Sequence, residues 1–386
     1  VMVLGSLRCG KISPDSCVIS YNILCFCLDY IAMIIKKPQI IEDGSSVQAI
    51  SPVVVSASRC TDIPAFYADW FFHRLQVGYS VWTNPFNGKK SYVSYDATRF
   101  IVFWSKNPLP LLPFLDILRK KNIGCYIQFT LNDYEDENLE PYVPSLLQRI
   151  ETFIELSKCL GKEAVIWRFD PLVLTETLTV EKLLSKIERI AERLHGFTNK
   201  LVFSYADIAS YRKVRTNLLA SGIPYREWDE DLMDKFAYGL YELNSKRGWN
   251  FELATCGENI DLSKIGINRN SCIDAKLIAK LAFQDEDLMR YLQVKILEPA
   301  DSGLFGEQFL PDNSFFLPDG RRFICSQKKD PGQRKSCGCM TSKDIGEYNT
   351  CPHSCVYCYA NSSKETAIQN WRLHNANRLA PTITGK

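Results

Sequence analysis

The chain has 386 residues, 46% of them hydrophobic and 12% aromatic, which is enough apolar material for a full-size core. Its net charge of +2 excludes the domain-wide basic field of a protein that holds nucleic acid by charge alone. Fifteen cysteines, crowded toward the C-terminal third and read without a secretory signal, argue for metal ligation in a reducing, cytoplasmic setting over a disulfide framework.

Residues 1–50 are expected to be an N-terminal extension outside the fold. Cys17 to Ile35 is apolar but broken by Ser20, Asn22 and Asp29, a poor membrane span, so no stable membrane association is expected. Met33 opens a more ordinary sequence, and the residues before it read as an upstream extension.

From Pro52 onward short apolar runs alternate with helical patterns. Val53–Val55 is a β-branched run suited to a buried parallel strand. Asp62-Ile-Pro64 starts a helix whose apolar residues recur to Leu75, with Gly78 as its stop. The unit repeats: a strand over 99–104 with a helix after Pro108, a strand over 123–130 with a helix from Pro144 to Gly161, and a strand over 164–169 with a helix over 179–194. Strands over 201–205 and 251–255 flank a helix over 229–247. Six strands alternating with helices predict an α/β fold with a parallel sheet, as a partial (β/α)6 barrel of the TIM type over 51–256. A cysteine-rich segment follows over 257–386. No G-x-G-x-x-G or Walker-type loop follows any strand, which disfavours a dinucleotide or nucleoside-triphosphate site.

In parallel α/β folds the chemistry gathers at the C-terminal ends of the strands. Here those ends read Ser58-Arg59-Cys60-Thr61-Asp62, Ser105-Lys106-Asn107, Gln128-Phe129-Thr130, Arg168-Phe169-Asp170, and Ser204 with Asp207. Buried polar groups without partners cost about 1–3 kcal/mol each, so a run of them at one mouth predicts either a polar ligand or an internal salt-bridge layer. Strand alternation places Gln128 with Thr130, and Arg168 with Asp170, on shared faces. Lys106, Arg168 and Asp170 are the candidate catalytic groups. Ser105, Asn107, Gln128 and Thr130 are candidates for holding a cofactor.

Near the C-terminus stands Cys351-x3-Cys355-x2-Cys358, three soft, anionic ligands within eight residues, as a 4Fe–4S cube with one open iron requires. This spacing, with Tyr357 before the last cysteine, resembles the pattern of radical S-adenosylmethionine enzymes. The resemblance implies that S-adenosylmethionine binds the open iron, with Tyr357 beside its adenine, and that one electron cleaves it to a 5′-deoxyadenosyl radical. A flavodoxin or ferredoxin would supply the electron. The competing reading is a zinc knuckle with His353 as fourth ligand. Cys256, Cys272, Cys337 and Cys339 form a candidate auxiliary site for a second iron–sulfur cluster or zinc.

Longer blocks carry a second resemblance. Ser58–Ala65, Val102–Pro108, Gln128–Thr130, Trp167–Pro171, Cys337-Gly-Cys339 and Asp344–Ala360 resemble a bacterial family, domain-of-unknown-function family 1848, from about Val53 to Asn361. The strand-end motifs resemble spore photoproduct lyase more loosely. Two features depart from these patterns. The cluster cysteines follow the last strand where radical enzymes carry them after the first, so the tail is expected to fold back over the barrel mouth in a permuted arrangement. Cys60 stands where a second Arg is expected. Two other functions stay open: a non-catalytic zinc or iron–sulfur module binding nucleic acid through the basic run Arg321–Lys335, and a DNA-lesion lyase. The substrate, a small molecule or nucleic acid, is unassigned.

Overall fold

The computed structural model describes residues 36–84, 87–297, 311 and 313–386. The central element is an eight-stranded sheet: β1 (Val54–Ala57), β2 (Phe100–Ser105), β3 (Gly124–Thr130), β4 (Val165–Leu172), β5 (Lys200–Tyr205), β6 (Glu252–Thr255), β7 (Asn268–Arg269) and β8 (Lys343–Asp344). Their order is β7-β6-β5-β4-β3-β2-β1-β8, and every pairing is parallel. The six predicted strands therefore lie side by side in sequence order. The last addition, β8, pairs with the first strand, Lys343 opposite Val55 and Asp344 opposite Ser56. β7 and β8 are the two edges; the sheet does not close on itself.

The helices form for the reasons their ends suggest. Ser145, Thr179 and Asp229 each accept a backbone N–H at the start of helices Leu146–Leu160, Val180–Leu194 and Glu230–Arg247. Gly78 and Gly248 end their helices at φ 97° and 69°, where an L side chain would be strained. After Pro108 the chain forms a 3-10 turn, Leu109–Phe114, before a short α-helix, Leu115–Lys120.

Alternate strand residues feed two cores. Val55, Phe103, Phe129, Trp167, Phe203 and Leu253 face the long helices, packing with Phe71, Phe153, Ile187 and Phe236. Val54, Val102, Tyr126, Ile166, Val202 and Ala254 face the opposite way. They are covered by the C-terminal third through Ala275, Ile278, Leu288, Phe323 and Met340. On that side Gly124 lies so close to Phe100 that a Cβ would stand 2.6 Å from its ring carbons.

Two expectations about organisation are corrected. Residues 36–50 are part of the fold: Lys36–Ile40 and Ser46–Ile50 pair antiparallel, and the second strand pairs with Lys90–Ser94 in a four-stranded sheet. Burial of Ala49 and the bidentate Arg74–Glu42 ion pair (3.0 and 2.9 Å) hold them there. The segment 257–386 is no separate appendage either, because it supplies both edge strands and the cover of one sheet face. Residues 1–35, with Met33 and the apolar stretch, lie outside the described residues. Among the described residues no helix is long and apolar enough to cross a membrane.

Candidate active site at the strand ends

The loop that carries the C-terminal cysteines docks on the C-terminal ends of β1–β4. Asp344, in β8, accepts from Ser56 Oγ (2.7 Å), Ser58 Oγ (2.7 Å), the Arg59 N–H (3.0 Å) and the Gly346 N–H (3.0 Å), so it fixes the loop to the end of β1. Gly346 is needed there: a Cβ would stand 1.9 Å from Ser58 Oγ. Tyr67 donates to Thr350 O (2.6 Å) and Asn361 Nδ2 to Cys351 O (2.8 Å), while the Val356 N–H reaches Leu139 O (2.9 Å). Ser354, at φ 55°, turns the chain between Cys351 and Cys355, and the Cys358 N–H bonds Cys355 O at 3.1 Å.

Within that frame the three thiols share one electrostatic neighbourhood. Cys351 lies near Asp62 and Cys358, and the backbone N–H groups of His353 and Asp62 point at its sulfur; burial pushes its thiol up to about 12. Cys355 is pushed up by burial against the pull of Lys106, with Cys351 and Cys358 beside it. His353 is held at both nitrogens, 2.9 Å from Asp62 Oδ2 and 3.2 Å from Tyr142 O. It has no free nitrogen for the zinc knuckle that the sequence allowed.

Asp62 is the hub. It accepts from Ser105 Oγ (2.6 Å), the Lys106 N–H (2.7 Å), His353 Nε2 and the Ala65 N–H (3.0 Å). Burial alone would raise its carboxyl, but His353, Ser105 and the Lys106 N–H outweigh it and hold the group below its usual range. Lys106 reaches Glu140 Oε1 (2.7 Å) and the Tyr357 hydroxyl (2.9 Å). Tyr357 also donates to Glu140, and Asn132 Nδ2 bonds both. Arg149 stands 3.6 Å from Glu140 on its other side. Burial would raise Glu140, yet Lys106 and Arg149 hold it down at about 2. Lys106 and Tyr357, read from sequence as catalytic and adenine-facing groups, are thus mutually bonded beneath the cysteine loop. Ser105 is bound to Asp62. Asn107 is half-buried, its N–H on Ser105 Oγ.

A second group lies on β3–β6. Gln128 is fully buried, donating to Cys272 O (2.9 Å) and accepting from Arg168 Nη1 (3.2 Å). Arg168 also pairs with Asp170 and donates to Cys272 Sγ (3.1 Å), and Asp170 accepts from Ser204 Oγ. The face-sharing expected of Arg168 and Asp170 therefore holds, and Thr130 ends β3 half-buried. Cys256 Sγ is 3.3 Å from Cys272 Sγ. Cys339 stands beside Cys272, and Cys337 beside Cys339. Cys256 and Cys339, with Arg168 and Arg59 nearby, hold Cys272 well below the ordinary thiol range. All described cysteines are free thiols. Among the described residues no three His, Cys, Asp or Glu side chains are already posed around one point to hold a metal ion.

The sequence reading missed three groups. Glu140, Asn132 and Arg149 lie outside any strand-end motif, and only the buried Lys106 could have signalled that an acid was needed. The basic run is engaged locally: Arg321 pairs with Asp319 (2.7 Å), Arg322 lies over Phe316 and Arg334 over Tyr211. A shallow cavity of about 300 Å³ lined by Glu42, Tyr79, Lys90 and Lys386 shares no residue with either thiol group.

This is an α/β protein whose sheet gathers two sets of free thiols at its C-terminal end. The chain belongs to the family described as a domain of unknown function, DUF1848, whose profile it matches over residues 54–360. Neither curated proteins nor solved structures gave a match.

Proposed function

We propose that the protein is a radical S-adenosylmethionine-type enzyme, with Cys351, Cys355 and Cys358 holding a 4Fe–4S cluster over a sheet that curls as a partial (β/α)6 barrel. The observation that carries the reading is the ligand set: three neighbouring thiols with His353 tied to Asp62 and Tyr142 O, which leaves three sulfurs and no fourth ligand from the loop. Three thiolates suit a cube with one open iron, and N–H groups aimed at Cys351 sulfur are donors of the kind that tune such clusters. When bound, the cluster with S-adenosylmethionine supplies reductive cleavage to methionine and a 5′-deoxyadenosyl radical.

The chain's own residues do the rest. Asp62 orients the loop through His353 and the start of the 63–66 helix. Lys106, held in place by its ion pair with Glu140, sets its ammonium beside Cys355. Arg168, Asp170 and Ser204 form the adjoining polar group, joined to Glu140 and Tyr357 through Asn132, beside which substrate would sit. The thiols require a reducing compartment, the cytoplasm, with a flavodoxin or ferredoxin as electron donor. Anaerobic reconstitution with iron and sulfide is expected to yield protein that, once reduced, converts S-adenosylmethionine to 5′-deoxyadenosine. Cys355→Ala should abolish this, and a variant that still makes the nucleoside would sink the assignment.

One observation favours a second reading, a module that binds nucleic acid. Tyr348 and Tyr359 are exposed, with ring centroids 6.5 Å apart, and Tyr211 lies 6.1 Å from Tyr359 under Arg334. Such a rim could stack bases. A steep loss of oligonucleotide binding with salt, in protein carrying zinc and no iron, would favour this reading.

A further inference from the structure

The other four thiols come from two regions of chain that end on opposite edges of the sheet. Cys256 directly follows β6, and Cys272 lies three residues past edge strand β7. Cys337 and Cys339 lie just before edge strand β8. Between these edges the chain crosses one sheet face, where Tyr126 Oη (2.7 Å) and Gln128 Nε2 (2.9 Å) both bond Cys272 O. The two cysteine segments are knitted together by the Met340 N–H on Ile273 O (3.0 Å) and Ser271 Oγ on Gly338 O (3.0 Å). Gln327 Nε2 bridges Ile273 O and Gly338 O at 3.0 and 2.8 Å. Gly338, between the two cysteines, permits the approach: a Cβ there would stand 2.6 Å from Ser271 Oγ.

The sulfurs follow in series, Cys256 3.3 Å from Cys272, with Cys339 and then Cys337 brought alongside by the pairing of the two segments. Nitrogen donors aim at them. Arg168 Nη1 and Asn270 Nδ2 lie 3.1 and 3.4 Å from Cys272 Sγ, and the Arg59 guanidinium charge faces Cys339 and Cys272. Arg59 Nη2 is buried without a hydrogen-bond partner. Donors and guanidinium charge directed at sulfur suit thiolates, and thiolates are metal ligands.

We propose that Cys256, Cys272, Cys337 and Cys339 bind one zinc ion, which clasps the β7 edge of the sheet to the β8 edge. Four thiolates around Zn²⁺ carry a net charge of about −2, and Arg59 and Arg168 supply the facing positive charge. The 3.3 Å separation of Cys256 and Cys272 is nearer the edge of a ZnS4 tetrahedron, about 3.8 Å for Zn–S of about 2.3 Å, than the wider spacing of a cube in which each thiolate has its own iron. Binding draws the series into a tetrahedron by rotation of the cysteine side chains and releases the protons of those thiols that still carry one. No electron is transferred. The site does not depend on the radical-enzyme reading.

The test is zinc analysis of the full chain carrying Cys351→Ala, Cys355→Ala and Cys358→Ala, which separates this site from the other. About one zinc per chain is expected, with X-ray absorption at the zinc edge showing sulfur ligands at about 2.3 Å. Adding Cys272→Ser and Cys337→Ser should bring the stoichiometry close to zero. Because those variants could fail to fold, the unsubstituted protein is also measured. There, zinc removal by a chelator should speed amide exchange over residues 268–273 and 337–344 more than over β3 and β4. Absence of zinc after supplementation, nitrogen or oxygen ligands, or iron and sulfide bound at these cysteines would overturn the proposal.

Discussion

Glu140→Gln removes the carboxylate that pairs with the buried Lys106 and Arg149, whose side chains are 17% and 1% exposed, while keeping the shape of the site. Breaking such a buried pair costs about 3–5 kcal/mol, because the cations left behind are uncompensated. The same contacts hold the carboxyl at about 2 against an ordinary 4.5, which corresponds to roughly 3 kcal/mol of linkage. With about 2.1 cal/mol/K of unfolding entropy per residue, a chain of this length should lose roughly 4–6 °C in Tm at neutral pH. The pH dependence fixes the sign. A lowered carboxyl stabilises above its unfolded pKa and loses that contribution as pH falls through the folded one, so the gap between wild type and variant should close between about pH 4.5 and pH 2. Calorimetry or circular-dichroism melts across that range read both quantities. Equal melting temperatures at neutral pH, or a gap that persists at the acid end, would refute the ion-pair account.

Two further substitutions test how the loop and sheet are fixed. Gly124→Ala forces a Cβ to 2.6 Å from the Phe100 ring and should cost about 1–3 kcal/mol by chemical denaturation, with Phe100→Leu relieving part of the loss. Asp344→Ala strands Ser56, Ser58 and two backbone N–H groups at about 1–3 kcal/mol for each one left unsatisfied. Limited proteolysis should then cut within 345–360 faster than in the parent, and an unchanged cleavage pattern would argue against Asp344 as the anchor of the loop.

Much of the sheet is legible in the sequence because its long strands are short apolar runs, several of them leading into capped amphipathic helices. Ser145, Thr179 and Asp229 mark helix starts, and alternation correctly puts Arg168 and Asp170 on one face. The edge strands are not legible. Each is two residues long and is set by where distant segments dock, with Lys343–Asp344 on Val55–Ser56. The first sheet was missed because its partners are far apart in sequence, Ser46–Ile50 against Lys90–Ser94. At the site, residue types were readable but their partners were not. Lys106 is polar at a strand end, as a ligand-binding residue would be. Its role follows from Glu140 and Tyr357, 34 and 251 residues away. His353 shows the same limit: its ring lies in a cysteine motif yet is held by Asp62, 291 residues distant.

The central claim is that Cys351, Cys355 and Cys358 hold a cluster with one open iron. Electron paramagnetic resonance of the reconstituted, reduced protein, before and after S-adenosylmethionine is added, tests it most directly. The account predicts a reduced 4Fe–4S signal whose g values shift when S-adenosylmethionine binds, and loss of that signal in Cys355→Ala. Protein that takes up no iron, or a cluster signal unmoved by S-adenosylmethionine, would contradict it.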